Sequence, residues 1–140
     1  MTKKLLSIIV PVFNEAKTIE LVLQRLLTFN ILGYEIEIIV VNDGSTDDTK
    51  KIITTYLNKI KYLEHEKNLG KGNAVCAGIA RAQGELIIIQ DADLEYLPEE
   101  IPKLVSKLEQ NPQLNTVYGS RNLSLTGRGY SHYILGAWFL

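Results

Sequence analysis

One cysteine, one methionine and one tryptophan in 140 residues remove several possibilities at once. With Cys76 alone there can be no internal disulfide and no cysteine-rich metal site, and Cys76 itself reads as a small buried core residue. Charge of one sign is also lacking: the net charge is −1 and the basic residues are scattered, not striped. That removes the electrostatic case for a nucleic-acid partner. No apolar run approaches the roughly 18 residues of a spanning helix, and no charged-then-apolar leader opens the chain. A cytoplasmic protein is expected, with peripheral attachment at the cytoplasmic face of a membrane left open. Two glycine fingerprints are missing as well. Without Gly-x-Gly-x-x-Gly after the first strand a dinucleotide dehydrogenase is disfavoured, and without Gly-x-x-x-x-Gly-Lys-Ser/Thr so is a P-loop ATPase. Gly70-Lys71-Gly72 resembles a phosphate cradle only faintly and reads more simply as a flexible turn into a helix. His65 and His132 lack a neighbouring nucleophile or metal-ligand spacing and are read as structural.

What is present is an ordinary globular balance, 46% hydrophobic and 22% charged, enough for one domain over residues 1–140. Apolar runs at Leu5–Val12 and Glu35–Val41 predict strands. A helix with Ile19, Val22, Leu23, Leu26 and Leu27 on one face lies between them, ended by Gly33. Ser45, three residues before Asp48, has the spacing of a capping box for a second helix. Ile60–Glu66 reads as a short strand, and Ala74, Val75, Gly78, Ile79 and Ala82 as a helix packed closely on a sheet. Leu86–Ile89 is an unbroken apolar run, the mark of a strand buried on both faces. Pro98, Glu99 and Glu100 start another helix, and Thr116–Tyr118 is a candidate last strand. This β-α-β-α-β-α-β order predicts an α/β, doubly wound, mostly parallel sheet.

Three strand ends then carry the polar residues. Asp91 and Asp93 follow Leu86–Ile89 two apart, so both carboxylates can project the same way from the strand's C-terminal end. Two carboxylates held together need a cation between them, and Mg2+ is usually held by one or two carboxylates and completed by substrate phosphates. A solvated acidic turn is the plainer alternative for any lone pair of this kind. Glu15 and Asp47 can be first-turn helix acids, and Asp43 a turn residue. Yet a doubly wound sheet brings all three ends to the rim where ligands bind. Together they describe a nucleotide site, with Asp43 accepting from a base edge, Glu15 from a ribose hydroxyl, and Asp91 and Asp93 holding the metal of a diphosphate.

Five pieces carry a resemblance: Pro11-Val12-Phe13-Asn14-Glu15, Val41-Asn42-Asp43-Gly44-Ser45-Thr46-Asp47, Asn68-Leu69-Gly70-Lys71-Gly72, Gln90-Asp91-Ala92-Asp93-Leu94-Glu95 and Gly119-Ser120-Arg121. In this order and spacing the chain resembles the inverting family 2 glycosyltransferases of the A-type, Rossmann-like nucleotide-sugar fold. The nearest branch is that of the dolichyl- or polyprenyl-phosphate mannosyl and glucosyl synthases. The resemblance implies transfer of a hexose from a GDP-mannose- or UDP-glucose-type donor to a polyprenyl or dolichyl phosphate, in cell-envelope or glycan biosynthesis, with Mg2+ or Mn2+. It implies that Pro11, Phe13, Glu15, Val41 and Asp43 line the base and ribose. Asp91, Ala92 and Asp93 meet the metal-diphosphate, Arg121 the diphosphate or acceptor phosphate, and Arg128 the acceptor phosphate. Two departures stand out. Glu95 replaces a frequent Gln and adds a possible third metal ligand, and Asn42 replaces a frequent Asp. Family members continue into an acceptor-binding half, so these residues read as a donor-binding portion with no assignable general base, and Tyr130–Leu140 as an apolar segment available for self-association. A sugar nucleotidyltransferase and a non-catalytic nucleotide-binding or docking module are the alternatives.

Overall fold

A computed structural model describes residues 3–119. Arg121, Arg128, His132 and the segment Tyr130–Leu140 lie outside the described residues. The elements run β1 (Lys4–Val12), α1 (Ile19–Thr28), β2 (Tyr34–Asn42), α2 (Thr49–Thr54), β3 (Lys61–Glu64), α3 (Lys71–Ile79), β4 (Leu86–Ile89), a 3-10 turn Pro98–Glu100, and α4 (Ile101–Glu109). The four strands form one sheet in the order β3-β2-β1-β4, and every pairing is parallel. In-register partners such as Ile9 with Ile39 and Ile9 with Ile89 align the four C-terminal strand ends along one rim.

The strand order explains where the helices go. From β1 the chain steps outward to β2 and β3, then jumps back past β1 to β4. Because such crossovers are right-handed, reversing the direction of the step moves the connecting helix to the other face. The core is split accordingly. Leu6, Ile8, Val10 and Val12 pack with Val22, Leu23 and Leu26 of α1, Ile53 of α2, and Ile101 and Val105 of α4. The alternate side chains Ile9, Ile39 and Val41 face Ala74 of α3. Gly78 lets α3 lie almost on the sheet: a Cβ there would sit 2.4 Å from Ile9 Cγ2.

Several expectations need correction. The run Leu86–Ile89 is not buried on both faces; among the described residues β4 is an edge strand, with Ile87 and Ile89 exposed by 44% and 42%. A continuous apolar run records only that each residue can be buried, not that neighbours cover it. Cys76 is exposed, because α3 turns Ala74 and Gly78 to the sheet and Cys76 falls on the opposite side. Residues 116–118 form no strand. The first helix ends at Thr28, ahead of Gly33, since Phe29 is already extended. Ser45 caps nothing: α2 begins at Thr49, and it is Asp47 Oδ1 that accepts the Thr49 amide hydrogen, at 3.0 Å.

Candidate functional site

The point where the step direction reverses lies between β1 and β4, and open α/β sheets bind ligands in the crevice at such a switch point. A cleft of about 280 Å³ lies there, the low end of the range for small-molecule sites, lined by residues from three strand ends and from the start of α3. Pro11, Phe13 and Glu15 come from the end of β1, Asp43 from β2, and Asp91, Ala92 and Asp93 from β4, while Asn68, Lys71 and Ala74 close it from the α3 side. Val41 is not among them. It is fully buried in the core facing α3.

The loops that shape the cleft are tied to one another. Asn14, in the left-handed region at φ 55°, accepts the Thr46 amide hydrogen at 2.8 Å through Oδ1, and its own amide donates to Ser45 Oγ at 3.0 Å. The Glu15 amide donates to Thr49 Oγ1 and the Ala16 amide to Asp47 Oδ2. Four hydrogen bonds thus join the loop after β1 to the loop after β2. Asn42, fully buried, uses both halves of its amide: Nδ2 donates to Tyr62 Oη and Oδ1 accepts from the Ser45 amide.

Asp43 is 2% exposed and holds the loop that leads into α3. Its Oδ1 accepts from the Leu69 amide at 3.0 Å and faces His65 Nδ1 at 2.6 Å; its Oδ2 accepts from the Gly70 amide at 2.8 Å. Burial pushes the carboxyl up, but the hydrogen bonds from His65, Leu69 and Gly70 outweigh it and hold Asp43 below the ordinary carboxylate range. Two consequences follow. The amides of Leu69 and Gly70, just ahead of α3, are spent on Asp43, so Gly70 of the Gly70-Lys71-Gly72 turn has its amide already engaged. And with about four lone-pair positions on a carboxylate, Asp43 keeps roughly one on Oδ2 for anything in the cleft. Gly44 permits this approach: at φ +71° its Cβ would stand 2.4 Å from the Lys67 carbonyl carbon.

Beyond β4 the loop is shaped from within. Gln90, 3% exposed, donates through Nε2 to the carbonyls of Asp91 and Tyr96. Leu94 takes the left-handed region at φ 62°, which a branched side chain adopts only at a cost of roughly 1–3 kcal/mol. The Glu95 amide then donates to Asp93 Oδ1 at 2.9 Å. Ala92 is buried between two acids, Asp91 at the cleft wall and Asp93 exposed.

The match to a family decides what such a cleft belongs to: the model of glycosyl transferase family 2 fits residues 7–136. The chain belongs to glycosyl transferase family 2. It is 36% identical over 137 residues, 94% of this chain and 42% of the other, to the undecaprenyl-phosphate 4-deoxy-4-formamido-L-arabinose transferase of Yersinia enterocolitica. Among solved structures it is similar to S. aureus TarS in complex with UDP-GlcNAc, with TM-score 0.61 and 31% identity over 75% of this chain and 31% of that one. It is also similar to the mannosyltransferase PcManGT of Pyrobaculum calidifontis in complex with GDP-Man and Mn2+, with TM-score 0.64 and 26% identity over 76% and 32%. These likenesses establish the A-type, Rossmann-like fold of family 2 glycosyltransferases for the described sheet. The chain spans about two fifths or less of the length of the curated relatives it matches.

The donor set of this family 2 cleft suits a hard divalent cation in part. Asp91 and Asp93 supply carboxylate oxygens, the chemistry Mg2+ and Mn2+ take, and two are enough where phosphates and water complete the shell. Glu95 does not join them: it is exposed and off the cleft wall. Among the described residues no group of three His, Cys, Asp or Glu side chains could hold a metal. Sequence reasoning missed Lys71 and Asn68 as cleft residues, although the Asn68–Gly72 stretch drew notice as a turn. It also missed His65 as the partner of Asp43, for which spacing gives no signal.

Proposed function

We propose that residues 1–140 are the nucleotide-sugar-binding domain of an inverting, divalent-cation-assisted glycosyltransferase that moves a hexose from a nucleoside diphosphate sugar to a polyprenyl-type phosphate. The observation that carries this reading is the single cleft at the switch point, where Phe13, Glu15 and Asp43 stand on one side and Asp91 and Asp93 on the other. Phe13, 41% exposed at the cleft mouth, offers an aromatic face to a base. Asp43 accepts from a base edge through its remaining lone pair, and Glu15 from a ribose hydroxyl, its Oε2 already held by Thr18 Oγ1 at 2.9 Å. Asp91 and Asp93 hold the cation, Mg2+ or Mn2+, which when bound neutralises the diphosphate and stabilises it as a leaving group.

The reaction is a direct displacement. An acceptor oxygen forms a bond to the anomeric carbon as the bond from that carbon to the diphosphate oxygen breaks, and the electron pair leaves with the nucleoside diphosphate. A phosphate acceptor is already an anion near neutral pH and needs little help from a base. That the Yersinia enterocolitica relative is by name an undecaprenyl-phosphate sugar transferase supports a lipid-phosphate acceptor, and donors of the UDP and GDP type are supported by the ligands of TarS and PcManGT. Arg121 is assigned to the diphosphate or acceptor phosphate and Arg128 to the acceptor phosphate. Among the described residues no helix is long and apolar enough to cross a membrane; the chain meets its lipid acceptor at the cytoplasmic membrane surface. Thermal-shift screening of UDP-, GDP- and dTDP-sugars with and without Mn2+ tests the reading. A cation-dependent rise in melting temperature with one nucleotide class is expected. No response to any diphosphate nucleotide, or a response only to a nucleoside triphosphate, would overturn it.

A further inference from the structure

The cleft has an electrostatic imbalance that the donor reading leaves unresolved. Its lining carries four acids, Glu15, Asp43, Asp91 and Asp93, and among the described lining residues one cation, Lys71. Lys71 stands on the first turn of α3, and its Nζ lies 2.6 Å from Asp91 Oδ1, across the cleft from the sheet. Asp91 is thus paired before any metal arrives. The pair is built to exchange, not to lock. The Lys71 side chain is 49% exposed and that of Asp91 21%, and ion pairs with such access to water contribute little and are readily broken. A divalent ion carries twice the charge to the same oxygen, whereas the ammonium is a compact charge on a flexible four-carbon stem that can move by several ångströms without disturbing the helix.

We propose that Lys71 is the cleft's placeholder cation: it occupies Asp91 in the empty site, is displaced from it by the divalent ion, and then turns its ammonium to the phosphates of the nucleotide. This deepens the function proposed above and rests on its assignment of Asp91 and Asp93 to the cation. It gives the side chain two opposed effects, competition with metal and attraction of nucleotide. A merely structural lysine would show neither.

Mn2+ alone is titrated into the full chain, wild type and Lys71→Ala, by calorimetry or by the loss of the free-ion paramagnetic signal. UDP and GDP are then titrated at saturating Mn2+. Removing the competitor should tighten Mn2+ binding about two- to fivefold, ~0.4–1 kcal/mol at 1.36 kcal/mol per tenfold, while the better-bound of UDP and GDP should bind several-fold more weakly. Lys71→Arg, which keeps the charge, should stay close to wild type in Mn2+ affinity, and melting curves of both variants confirm the fold. Equal or weaker Mn2+ binding by Lys71→Ala, or unchanged nucleotide affinity, would overturn the placeholder role while leaving the metal assignment standing. Failure of wild type and variant alike to bind Mn2+ would overturn both.

Discussion

Replacing Asp43 by alanine should damage the fold and the cleft together, by an amount that can be worked out from its partners. The carboxylate accepts from the amides of Leu69 and Gly70 and from His65. Gly70 has a second acceptor, Asn68 Oδ1 at 3.0 Å, so its amide is not abandoned. The Leu69 amide has no other acceptor among the described hydrogen bonds. A part-buried donor left unpaired costs about 1–3 kcal/mol and the lost His65 contact about 1 kcal/mol, so Asp43→Ala should cost ~2–4 kcal/mol. At about 4 °C per kcal/mol for a chain of this size, the melting temperature should fall by ~8–16 °C. The loss should depend on pH. Asp43 titrates below the ordinary value in the folded state, so its contribution is present above that ordinary value, near pH 4, and disappears as the pH falls through the folded value. Wild type and variant should therefore converge on acidification below about pH 4. Differential scanning calorimetry of both proteins across the acid range reads this directly. A shift under about 2 °C at neutral pH, or a gap that widens in acid, would refute the argument that Asp43 holds the loop into α3.

Other outcomes follow from the same geometry. Gly78→Ala should destabilise by about 1–3 kcal/mol, because the new methyl meets the buried Ile9 at 2.4 Å; urea unfolding at the wild-type midpoint would show that α3 does not lie so close. Glu37→Gln should cost ~1–2 kcal/mol, since its buried carboxylate accepts from Ser7 Oγ and the Gln83 amide and pairs with Lys61. Burial raises that carboxyl, but these partners hold it below its ordinary range, so the difference from wild type should shrink in acid as the carboxylate is protonated. Binding of the better-bound of UDP and GDP in Mn2+ should weaken at least tenfold in Asp93→Asn, a loss of roughly 1.4 kcal/mol or more, and calorimetry giving the wild-type affinity would remove Asp93 from the site.

Much of the architecture was legible because it depends on local periodicity. The runs at Leu5–Val12 and Glu35–Val41 became β1 and β2 within one residue at either end, and three acid-bearing strand ends did converge on one cleft. What escaped depends on neighbours distant in sequence. Nothing in Leu86–Ile89 says that β4 lies at an edge of the described sheet. Nothing in Asn42–Asp48 says that Asp43 answers amides 26 and 27 residues on, or that Asp47, not Ser45, serves the start of α2. Cys76 was misplaced because its own character outweighed the helical phase set by Ala74 and Gly78. Val41 resembles a cleft residue by motif, yet strand alternation turns it into the core against α3.

The central claim is that this cleft binds a diphosphate nucleotide through a cation held by Asp91 and Asp93, and one calorimetric titration tests it most directly: UDP and GDP against the protein in Mn2+ and again in excess chelator. Binding in Mn2+ by at least one of the two, weakened tenfold or more by chelation, is the predicted result, a tenfold change being about 1.4 kcal/mol. Affinity unchanged by the chelator, or no binding of either nucleotide, would contradict the account.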